Sequence, residues 1–138
     1  MTLLDDLNQF TGTEEYHRFS PLTTAVASDG ARFLARRAGA YWLLDVIASY
    51  LPRLQAVGET FAVATITRAE LASDCVFTLD NGNDGAGRVE YARQEIEYTD
   101  FPFDELGTSF KVFVEVGQVL NESSKVVPVF VILLPSEH

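Results

Sequence analysis

The sequence predicts an α+β fold in which N-terminal helices pack on an antiparallel sheet of about five strands. Three observations carry that prediction. Apolar residues recur at helical spacing up to Tyr50, they alternate with period two after Gly58, and an Asn81-Gly82 turn signal lies between two alternating runs. A chain of 138 residues is a natural single-domain length, so residues 1–138 are expected to form one α+β domain.

Leu3, Leu4, Leu7 and Phe10 are spaced as one face of a short helix that ends before Gly12. From Thr11 to Pro21 the residues favour irregular or short extended chain. Ser28 and Asp29 are N-cap candidates for a long helix over about 30–50, which Pro52 is expected to stop. Thr60 to Arg68 alternates and is rich in β-branched residues, as a strand requires. Cys75 to Leu79 reads as a second strand, turning at Asn81-Gly82 into a third over Val89 to Tyr98. Asp100 and Pro102 break that strand, and Phe110 to Val116 alternates again. Asn121 to Ser124 is a loop. Val126 to Pro135 is apolar on both faces, like a strand in the middle of a covered sheet.

Composition excludes several classes. With 47% hydrophobic residues, ten Phe and five Tyr, the chain is not of disordered type, and its apolar runs fall short of the about 20 residues that span a bilayer. Met1 to Asp6 carries acids where a secretory signal has bases, so residence in the cytoplasm, away from membranes, is expected. A net charge of −10 argues against direct nucleic-acid binding, which rests on clustered Lys and Arg. The charge is uneven. Residues 31–68 hold five Arg against Asp45 and Glu59, whereas 70–105 hold ten acids against Arg88 and Arg93.

Asp45 is the one charge in the run from Ala38 to Ala48, and it reads as a buried carboxylate on a helix face. Tyr41 and Ser49, four residues to either side, share its stripe. Two readings stay open: a closed hydrogen-bonded network, or a pocket in which Tyr41, Asp45 and Ser49 bind a small molecule or support hydrolase-like chemistry. A second candidate is acidic. Glu95, Glu97 and Asp100 stand among Tyr98, Phe101 and Phe103, as either a solvated edge or a recognition patch with aromatic anchors. Trp42 and the single Cys75 read as core. Asp80 to Gly85 has the composition of a calcium loop, but Gly82 and Tyr91 fall where ligands are needed, so a hairpin turn is expected and no metal. His17 and His138 form no metal-ligand cluster, and no nucleophile elbow or phosphate loop occurs, so no cofactor or catalytic residue is assigned.

Several segments together carry a resemblance. Leu7 to Tyr16 (LNQFTGTEEY), Gly39 to Asp45 (GAYWLLD), Asp80 to Asn83 (DNGN), Tyr98 to Pro102 (YTDFP) and Leu133 to Glu137 (LLPSE) resemble a family of small uncharacterised proteins from bacterial genomes, plasmids and phages. That resemblance implies no activity, cofactor or catalytic residue. The stretch between Leu106 and Val127 departs from the family pattern by an extra strand. The expected function is therefore a binding or interaction module of mobile-element type with a protein partner. A homodimer is a further expectation, because two apolar strands near the C-terminus leave an edge that must be covered or paired.

Overall fold

A short α1 (Leu3–Asn8) buries Leu3 and Leu7, as its spacing predicts. The computed structural model describes residues 3–12, 15–69, 74–83, 85–97, 99–120 and 123–138. After α1 come β1 (His17–Arg18) and β2 (Val26–Ala27), each two residues long. Ser28 then caps α2 (Asp29–Arg37), its hydroxyl accepting the Ala31 N–H at 3.1 Å.

The single helix expected over about 30–50 is two helices. Gly39 takes φ +62°, and the Ala40 N–H reaches back to the Ala35 carbonyl at 2.8 Å, which closes α2 with a Schellman turn. The chain restarts as α3 (Tyr41–Val57), which runs through Pro52 instead of stopping before it. Pro52 sits on the solvent side while Leu51 and Leu54 beside it are buried, so packing on both flanks offsets the missing hydrogen bond. Gly58, at φ +73°, ends the helix, and Glu59 N–H bonds the Leu54 carbonyl at 3.0 Å.

The sheet contains β3 (Phe61–Arg68), β4 (Cys75–Asp80), β5 (Glu90–Ile96), β6 (Ser109–Leu120) and β7 (Val126–Leu133), with a short α4 (Phe103–Leu106) between β5 and β6. These are the five expected strands. With β1 and β2 the sheet has seven, in the order β1-β2-β7-β6-β3-β4-β5, and it is mixed because β2 runs parallel to β7. A two-residue strand shows no period of its own. Its pairing, Val26 opposite Val131, joins positions too far apart in sequence to be read locally.

Ala62, Ala64 and Ile66 of β3 share one face with Phe77, Val112 and Ile132, and that face is buried together with Leu34, Leu43, Ile47 and Leu54 of the helices. Tyr50 stacks on Phe77 at 5.8 Å, and Arg53, 4.9 Å over the Tyr50 ring, donates to the Tyr91 carbonyl at 3.0 Å. Trp42 is partly buried and meets Phe101 edge to face at 6.4 Å.

The turn after β4 is wider than the two-residue hairpin that Asn81-Gly82 suggests. Gly82 has φ +80° but Asn81 does not share it, and the loop runs to a 3₁₀ turn at Gly85–Gly87. Asx hydrogen bonds explain the preference: Asp80 Oδ1 accepts the Gly82 N–H at 2.8 Å, and Asn81 Oδ1 accepts the N–H groups of Asn83 and Val89. Met1, Tyr98 and Asn121, named above, lie outside the described residues. No helix among the described residues is long and apolar enough to cross a membrane.

Candidate functional site

Asp45 is exposed, which corrects the expectation of a buried carboxylate. Tyr41, Asp45 and Ser49 do share a stripe of α3, and it is the solvent stripe. The apolar neighbours in sequence point away from it: Leu43, Leu44 and Ile47 are buried on the opposite side. Ser49 does not reach Asp45, because its hydroxyl donates to the Val46 carbonyl at 2.6 Å. Ser20, Thr23 and Ala48 join Asp45 and Ser49 around a shallow depression of about 300 Å³.

Glu95, Glu97 and Asp100 are exposed at the far edge of the sheet. Glu95 lies on β5, whereas Glu97 is already past its end, so the two do not share the face of one strand as alternation implies. The aromatic anchors expected among them are unequally placed. Phe101 and Phe103 are buried in ring contact with each other at 5.0 Å, so they serve the core and not the surface.

The reactive side chains are held in structural bonds. Cys75 is buried, and burial pushes its thiol up while a hydrogen bond with Thr99 offsets part of the rise. His17 Nε2 lies 2.7 Å from Asp29 Oδ1, and its Nδ1 faces Arg32 at 3.4 Å, so no serine stands on that imidazole. Ser28 donates to Glu137 Oε1 at 2.5 Å. Glu90 is held below the usual carboxylate range by Arg93 and then Arg88, and Arg88 bridges it to Asp80. No cluster of His, Cys, Asp or Glu among the described residues has metal-binding geometry.

What stands out instead is the tip of the β6–β7 hairpin. β3 begins at Phe61, opposite Glu115, so β6 continues past it with no strand on that side. Four further residues at about 3.4 Å each carry it about 14 Å beyond Val116. On the other side β2 covers β7 only at Val131 and Ile132. Residues 117–120 and 126–129 are therefore a two-stranded ribbon. Apolar side chains at its tip and base meet water: Leu120 is 69% exposed, Val126 60% and Val116, at the base, 39%. Burial along β7 runs from exposed at Val126 to fully buried from Val131 onward.

The hydrogen-bond pattern says which edges are open. Val116 N–H donates to the Thr60 carbonyl at 3.0 Å, so the even-numbered peptides of β6 point toward β3. Beyond β3, the peptides of Gln118 and Leu120 point into open space. On β7 the even-numbered peptides point the opposite way, since Ile132 O accepts the Ser28 N–H at 2.9 Å. Pro128 belongs to that set and has no N–H to offer. The ribbon thus has one edge blunted by proline and one edge intact. Sequence reasoning missed it by reading the doubly apolar run from Val126 as a covered central strand. Pro128 was the available signal, because proline in a strand marks a free edge.

These features define a mixed-sheet α+β protein whose least satisfied surface is an apolar β-ribbon. The chain belongs to a family of unknown function, DUF6876, whose model matches residues 1–138. No curated protein and no solved structure matches it.

Proposed function

We propose that this protein is a binding module that works as a homodimer, joined by the open edge of β6. The observation that carries the reading is the ribbon, which exposes Val116, Leu120 and Val126 beside peptides of Gln118 and Leu120 that have no partner on the β3 side among the described residues. Monomeric proteins blunt such edges with charge or proline. β7 carries its Pro128, whereas 116–120 of β6 (Val-Gly-Gln-Val-Leu) holds neither charge nor proline.

A second copy is the occupant that fits. Antiparallel pairing about a two-fold axis at Val119 sets Gln118 of one copy opposite Leu120 of the other, and both present their peptides outward. Charge agrees. The chain carries −10 overall, yet from Ser109 to Leu134 two Lys balance two Glu, so two copies meet where they repel least. Between the ribbon and the end of α3 a groove of about 250 Å³, lined by Gln55, Thr60, Val116 and Phe130, receives apolar side chains from across the axis.

Sedimentation velocity over a dilution series tests the reading. Wild type is expected at twice the 15.3 kDa chain mass, falling to one chain on dilution. Gln118→Pro, which removes an outward N–H, and Leu120→Lys, which charges the apolar tip, are expected to stay monomeric with unchanged circular dichroism. A wild type that sediments as one chain at every concentration, or variants that dimerise as it does, would overturn the proposal.

A further inference from the structure

The sheet face turned away from the helices holds a second feature. Across it, Val63 of β3 lies between Asp80 and Phe113, and Thr65 between Thr78 and Lys111. Phe61 and Phe113 meet edge to face with ring centres 5.2 Å apart, and the His138 ring leans on both at 5.5 and 5.3 Å. His138 Nε2 is fixed in turn by Glu115 Oε2 at 3.1 Å. This makes one rigid aromatic wall.

The opposite wall is the loop after β4. It lies tight against the sheet, since a Cβ on Gly82 would come within 3.0 Å of Val63 Cγ2 at a φ of +80°. Between the walls is a recess of about 470 Å³, a volume in the range of small-ligand sites, with Val63 on its floor. Most polar groups around it are already engaged. Asp80 is bound by Arg88 at 3.1 Å and by the Gly82 N–H, and Asn81 and Asn83 bond within their own loop. Glu115, on the same face, holds His138. Two lining groups are not engaged among the described residues: the Lys111 ammonium and the Thr65 hydroxyl, which face each other as partners across β6 and β3.

We infer that this recess binds a small planar molecule carrying one anionic group, its ring against Phe61 and Phe113 and its anion on Lys111 and Thr65. Offset or edge-to-face packing suits a flat ring beside two phenyl groups. A lone ammonium next to a hydroxyl, with the Asp80 carboxylate held by Arg88 and the Glu115 carboxylate by the His138 ring, suits a carboxylate. The aromatic wall is assembled before any ligand arrives, which keeps the ordering cost of binding small.

An NMR titration of the ¹⁵N-labelled full chain with 2-naphthoate and with neutral 2-naphthamide tests this. Naphthoate is expected to shift the amides of Phe61, Val63, Thr65, Gly82, Lys111 and Phe113 saturably, and to bind about tenfold more tightly than the amide, as one charge-assisted bond allows. Lys111→Met, at an exposed position that the fold does not need, is expected to erase that tenfold difference, while Gln118→Pro leaves it intact. Equal binding of acid and amide, an unchanged Lys111→Met titration, or shifts confined to the ribbon around Val119 and Val127 would each overturn the inference.

Discussion

Glu137 joins two distant parts of the chain through one carboxylate. Oε1 accepts the Ser28 hydroxyl and the Leu134 N–H, and Oε2 accepts the Gly30 N–H at 3.0 Å. The negative charge therefore sits on the first turn of α2, where unpaired N–H groups and the helix dipole favour it. Glu137→Gln keeps the shape but not the charge, and is expected to lower stability by about 1–2 kcal/mol, read as a lower urea midpoint at constant slope. Gly30→Ala pits two effects against each other. Alanine gains up to about 1 kcal/mol in helix propensity, but its Cβ would lie 2.5 Å from Glu137 Oε1 and 2.7 Å from Leu134 Cδ1. Because three hydrogen bonds hold that carboxylate in place, the overpacking cost of about 1–3 kcal/mol wins, and the variant unfolds at lower urea. Asp45→Asn is the contrasting case. An exposed side chain away from caps and networks moves stability by less than about 0.5 kcal/mol, so a large loss on urea unfolding would revive a buried role for Asp45.

At the scale of elements, the β6–β7 hairpin shows what local pattern can and cannot carry. The strands themselves were legible, since Phe110, Val112, Val114 and Val116 alternate and five of the seven residues from Val126 to Ile132 are β-branched. How far each strand has a neighbour was not, because that depends on where β3 and β2 stop. Pro128 is expected to act as a guard on the β7 edge. Pro128→Val restores the donor there, so the variant should form larger assemblies than dimers in the same sedimentation experiment; unchanged sedimentation would mean that this edge is covered by other means. The break at Gly39 was legible in principle, as glycine after a run ending in Arg36 and Arg37 is a helix stop, yet the apolar period continued across it. Pro52 misled in the opposite direction, because burial of Leu51 and Leu54 outweighs one missing bond.

For the molecule as a whole, the α+β class followed from helical spacing before Tyr50 and alternation after Gly58. The mixed sheet did not, since it rests on the parallel pairing of β2 and β7 across most of the chain. The stripe of Tyr41, Asp45 and Ser49 was likewise found correctly as a stripe but assigned to the wrong side, because sequence neighbours in a helix are not spatial neighbours. Apolar exposure at the ribbon was invisible for the same reason: hydrophobicity states a preference for burial, and only the assembled sheet shows where it is unmet. Two copies of a chain with charge −10 repel at long range, so added salt should strengthen a dimer held by a neutral ribbon. The most direct test is amide hydrogen exchange at Gln118 and Leu120 across a dilution series. The dimer predicts slow exchange of both amides at high concentration and fast exchange on dilution, with Val114 slow throughout. Fast exchange at Gln118 and Leu120 at every concentration would contradict it.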